Sequence, residues 1–148
     1  PLRAEIQALV VKSSSPQPRR VTNGVDSSRV AMLLAVLERR AGISLSDKDV
    51  YVSTVGGMRI TEPAADLAIA IAIASAVSDK PVSTKVAAFG EISLSGEVRG
   101  VANLSQRTNE ASRLGHKTII DSKSGQLKKA LTQALAQSDP SQPEANLG

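Results

Sequence analysis

A chain of 148 residues, 41% of them hydrophobic, closes one sizeable core and leaves little material for a second. Its 18 Lys and Arg against 14 Asp and Glu give a net charge of +4, a modest excess that suits a polyanionic partner. The absence of cysteine excludes disulfides and thiolate metal sites and fits a cytoplasmic protein, and the longest apolar run, 67–77, is too short to span a bilayer.

Aromatic residues are nearly absent, with only Tyr51 and Phe89, so the core is expected to be aliphatic and alanine-rich, with helices packed closely on sheet. The first residues mix Arg3 and Glu5 with apolar positions, unlike a secretory leader. A chain that opens on Pro1 reads as a piece of a longer polypeptide.

In chain order, residues 5–11 alternate and then run apolar, as a half-buried strand does. Residues 12–24, with two prolines and three serines, read as a loop carrying Arg19 and Arg20 at its far end. Asp26 is a good cap for an amphipathic helix that ends at Ala41 before Gly42, with Arg39 and Arg40 in the last turn. Residues 49–55 are branched and predict a strand.

The sequence "RITEPAADLAIAIAIAS", residues 59–75, predicts a helix capped by Thr61 with Pro63 in its first turn, almost wholly Ala, Ile and Leu and running to 78–81. Residues 85–98 read as strand, bend and strand, with Ser95 and Gly96 at the turn. A polar helix over 105–114 closes at Gly115, "KTIID" returns as a strand, and residues 125–137 make a last amphipathic helix. The class is α/β, a mixed sheet covered by helices in one domain over 1–138, with a disordered tail over 139–148.

Few residues offer chemistry. The one histidine, His116, sits in a turn, where exposed histidines are ordinary, so a triad has no obvious base. No G-x-x-x-x-G-K-[ST] pattern occurs, which speaks against an ATP site in this chain. Glu62 and Asp66, four apart, share a helix face; they suit a metal less well than capping or an arginine partner, for which Arg59 is close in sequence. Arg39, Arg40 and Arg113 read as solvated helix surface, whereas Arg19, Arg20, Arg59 and Arg99 lie on loops and strand ends that display binding groups. With almost no aromatic residue to stack on bases, any nucleic-acid contact must run through phosphates.

Five segments, "EIQALV", "PRRVTNGVDSSRVAMLLAVLERRAGI", "DKDVYVSTVGGMRITEPAADLAIAIAIAS", "FGEISLSGEVRGV" and "EASRLGHKTII", together resemble the C-terminal domain of the bacterial RadA (Sms) family of DNA-repair ATPases. That domain is similar to the proteolytic domain of Lon. In active Lon proteases the corresponding helix begins Gly-Pro-Ser-Ala-Gly with a nucleophilic serine, and a lysine beyond the hairpin is its base. Here the resemblance places Ala64 at the nucleophile and Ser105 at or near the lysine, which implies a domain without peptidase activity. It further implies a homo-hexameric ring, an upstream RecA-like motor holding ATP, Mg and Zn, contact with single-stranded and branched DNA through Arg19, Arg20, Arg59, Arg99 and Arg107, and a recombinase partner, with no membrane role. Two alternatives stand beside this: a Lon-like peptidase with a displaced pair, using Ser53 or Ser93, and a protein-interaction platform that never touches DNA.

Overall fold

The computed structural model describes residues 5–82, 86–116 and 118–136; the expected tail and the last residue of the final helix lie outside this set. Strand β1 (Ile6–Lys12) pairs antiparallel with β3 (Lys48–Thr54), and β2 (Arg20–Asn23) pairs parallel with the other edge of β3. The sheet is therefore mixed, as the order of elements along the chain implied. Two further pairs stand apart from it: β4 (Val86–Ala88) parallel to β7 (Thr118–Ile120), and the hairpin β5 (Glu91–Ile92) with β6 (Val98–Arg99). In place of one continuous mixed sheet, the described residues form three small ones.

Strand β2 corrects the expectation of a loop throughout 12–24. Prolines and serines punctuate its start, but the Arg20 to Asn23 backbone finds partners on β3 once the chain has turned back, a pairing invisible to local propensity.

Helix α1 (Ser27–Ala41) starts where Asp26 Oδ1 accepts from the Ser28 amide at 3.2 Å and stops at Gly42 in the left-handed conformation. Its apolar stripe of Val30, Leu33, Leu34 and Leu37 faces inward. Helix α2 (Asp66–Ser78) is buried on nearly every side by β1, α1, α4 (Leu127–Ala136) and the hairpin, which explains a sequence that is apolar all round. Its alanines let those neighbours approach closely. A separate 3-10 turn, Pro63–Ala65, precedes it, and no side chain caps either segment. In place of the expected Thr61 cap, the Leu67 amide donates to the carbonyl of Gly90, just before the hairpin.

The inner face of the three-stranded sheet, with Ile6, Val50 and Val52, packs on α2. Its outer face carries a row across all three strands, Leu9 opposite Tyr51 and Tyr51 opposite Val21, with Leu9 57% and Val21 47% exposed. Helix α3 (Leu104–Arg113) buries only Ala111.

Candidate functional site

The head of α2 is where the sequence points, and its geometry is set by backbone. The Ala64 carbonyl accepts from the Gly90 amide and the Gly90 carbonyl accepts from the Leu67 amide, both at 3.0 Å. This reciprocal pair holds the helix start against the strand end, and it requires glycine: a Cβ on Gly90 would fall 2.6 Å from Val98 Cγ1. The Ala64 methyl is itself buried. What the helix start presents is therefore a sealed turn with no polar side-chain atom at Ala64.

Ser105 stands exposed in the first turn of α3. Ser93 Oγ lies 2.9 Å from Ser95 Oγ and accepts from the Glu97 amide at 3.1 Å, while Ser53 sits half-buried within β3. Among the described residues no serine hydroxyl is hydrogen-bonded to a lysine ammonium, the contact that would activate it. His116 is half-buried just after α3, its amide donating to the Ala111 carbonyl.

Both carboxylates at the helix head meet arginine, but neither meets Arg59. Asp66, fully buried, accepts from Arg29 Nε at 2.7 Å, from Arg29 Nη2, and from the Ile92 amide at 3.0 Å. One carboxylate thus ties together α1, α2 and β5. The same hydrogen bond raises the affinity of the Arg29 guanidinium for its proton, against the opposing effect of burial. Glu62 accepts from Arg107 Nη2 at 2.8 Å, and this bond holds its carboxyl below the usual range. A divalent cation does not fit here, because each carboxylate already carries a guanidinium. Among the described residues no group of three or more His, Cys, Asp or Glu converges on a metal position.

The candidate arginines fall into two groups. Arg20 donates from Nη2 to the Leu45 carbonyl at 2.8 Å and from Nη1 to the Lys48 carbonyl, so its charge closes the loop before β3. Arg107 donates from Nε to the Ala102 carbonyl at 2.9 Å as well as to Glu62. Arg19, Arg59 and Arg99 are exposed, and Arg19 is tied through its backbone, its amide donating to Asp49 Oδ1 at 2.7 Å and its carbonyl accepting from the Val50 amide at 2.9 Å. Arg99 lines a shallow groove of about 620 Å³ with Arg29, Met32, Glu91 and residues 92–95 of the hairpin. Nothing in the sequence pointed to Arg29. The signal was available in Asp66, a lone acid opening an apolar helix, which demands a buried cation somewhere.

A family model described as subunit ChlI of Mg-chelatase matches residues 24–124, from the turn before α1 to the turn after β7. The chain belongs to this ChlI family. Proteins named DNA repair protein RadA are similar over most of it: 47% identity over 115 residues in Streptococcus pyogenes, 46% over 120 in Halalkalibacterium halodurans and 48% over 127 in Rickettsia bellii. These alignments cover 78%, 81% and 86% of this chain but only 25%, 26% and 28% of the relatives. The ChlI-family chain thus spans about a quarter of the length of the curated relatives it matches. No helix among the described residues is long and apolar enough to cross a membrane.

Proposed function

We propose that this ChlI-family domain serves a RadA-type DNA-repair protein as a non-catalytic, Lon-like scaffold that assembles into a ring and offers cations to DNA phosphates. The similarity to proteins named DNA repair protein RadA carries the reading. The sealed turn at Ala64 supports the non-catalytic part, since a methyl group has no lone pair for a carbonyl carbon. ATP, magnesium and zinc belong on this reading to the remainder of the longer protein, beside a RecA-like motor.

Three features favour assembly and DNA contact. The apolar row Leu9, Tyr51 and Val21 leaves a sheet face open to a neighbouring copy. Six copies at +4 each would place about two dozen net charges around one ring. Arg19, Arg59 and Arg99 are exposed cations, and phosphate contact through them would be weakly sequence-specific and steeply salt-dependent.

Single-stranded DNA affinity measured across a salt series tests this. Arg59→Ala/Arg99→Ala should weaken binding and reduce the slope of log affinity against log salt by about 1.4, two phosphate contacts on a single strand. Affinity indifferent both to salt and to these changes would leave only a protein-interaction platform.

A further inference from the structure

The segment from Asn103 to Gly115 is held to the body of the protein by little. Of the ten residues of α3 only Ala111 is buried. The helix begins at Asn103 in the left-handed region, φ 59°, without a side-chain cap bond, and the chain leaves it through Gly115 at φ 94°. Its strongest tie is Arg107, which reaches off the helix to Glu62 Oε2 at 2.8 Å and back to the Ala102 carbonyl. Glu62 immediately precedes the Pro63–Ala65 turn, which the Gly90 amide anchors through the Ala64 carbonyl. The ion pair thus joins a fixed element to a loosely packed one.

Resting on the DNA-binding reading above, we propose that α3 is a latch: Glu62 sequesters Arg107 in the resting protein, and a nucleic-acid phosphate displaces Glu62, swings α3 on Asn103 and Gly115, and takes Arg107 as an additional contact. The exchange is near balance. The Glu62 side chain is 54% exposed and that of Arg107 24%, so the pair lies where a water-screened contact is weak, and a phosphate oxygen can accept from Arg107 Nη2 as the single Glu62 oxygen does. The pair of Arg29 with Asp66 could not be exchanged this way, because the Asp66 side chain is only 1% exposed.

The test compares the 148-residue parent with Glu62→Gln, Arg107→Gln and Glu110→Gln, reading amide hydrogen exchange over α3 and affinity for single-stranded DNA. Glu62→Gln and Arg107→Gln should both speed α3 exchange several-fold. Only Glu62→Gln should also bind DNA more tightly, by about three- to ten-fold, with a salt slope steeper by about 0.7. Glu110→Gln makes the same charge change on α3 itself but frees only Arg113, whose side chain is already 76% exposed, so it should gain little. An equal gain from Glu110→Gln overturns the latch in favour of general charge, as does Glu62→Gln binding no tighter than a DNA-binding parent. Failure of every protein to bind DNA overturns the reading on which the latch rests, and slow α3 exchange in Glu62→Gln overturns the latch whatever the DNA result.

Discussion

Asp66 illustrates how much one residue decides. Its carboxylate is fully buried, whereas the Arg29 side chain remains 27% exposed, and this asymmetry predicts unequal costs on breaking the pair. Arg29→Ala strands a charge in the interior and should lower the unfolding free energy by about 5 kcal/mol; Asp66→Asn leaves an arginine that can turn to water and should cost about 3 kcal/mol. Urea denaturation of both variants checks the order as well as the size, and equal losses would mean that Arg29 is not free to reach solvent. At Gly24, with φ 86°, a Cβ would meet the Met58 carbonyl oxygen at 2.6 Å and Thr54 Oγ1 closer still. Gly24→Ala combines that clash with an unfavourable backbone conformation and should destabilise by more than Gly42→Ala, whose Cβ would meet nothing within 4 Å.

Among the elements, the contact between the Pro63–Ala65 turn and α3 responds to pH. Arg107 depresses the Glu62 carboxyl in the folded protein, so the pair stabilises the contact above the ordinary glutamate range, near pH 4.3, and that contribution disappears as pH falls through the lowered folded value. Hydrogen exchange in α3 should therefore accelerate on acidification below about pH 4, relative to α1, and should lose this pH dependence in Glu62→Gln. Helix α1 depends on its Asp26 cap instead, and Asp26→Ala should cost about 1 kcal/mol in thermal or chemical unfolding. The elements legible in the sequence were those with local signals. Asp26 and Gly42 bounded α1 to within a residue, and the turn at Gly96 is a tight one, its amide donating to the Ser93 carbonyl at 3.0 Å. The start of α2 differs from the sequence expectation because the Leu67 amide donates to the carbonyl of Gly90, distant along the chain, and no local cap announces that.

For the whole molecule, the question is whether the open sheet face is covered in solution. If Leu9, Tyr51 and Val21 meet a second copy, Leu9→Glu/Val21→Glu should shift the light-scattering mass toward the monomer without altering the circular dichroism. An unchanged mass would direct attention to another face. Peptidase assays belong to the same scale: Ala64→Ser alone should cleave neither casein nor peptides, because a hydroxyl without a base at hydrogen-bond distance stays protonated at neutral pH. Serine-dependent turnover in the parent would reverse that expectation and with it the scaffold reading.

By itself the sequence determined the aliphatic character of the core, the helix that had to be buried on all sides, an alanine at position 64 and the family resemblance. These properties reside in residue type and short-range order. Only the tertiary structure decided which arginines keep a free charge. Arg19, Arg20, Arg59, Arg99 and Arg107 look equivalent along the chain, yet Arg20 ends on backbone carbonyls and Arg107 on Glu62, while Arg29, unremarked in the sequence, answers the buried Asp66. Ion pairing acts over a few ångströms in space between residues 37 and 45 positions apart, so no reading of neighbours along the chain could assign the partners.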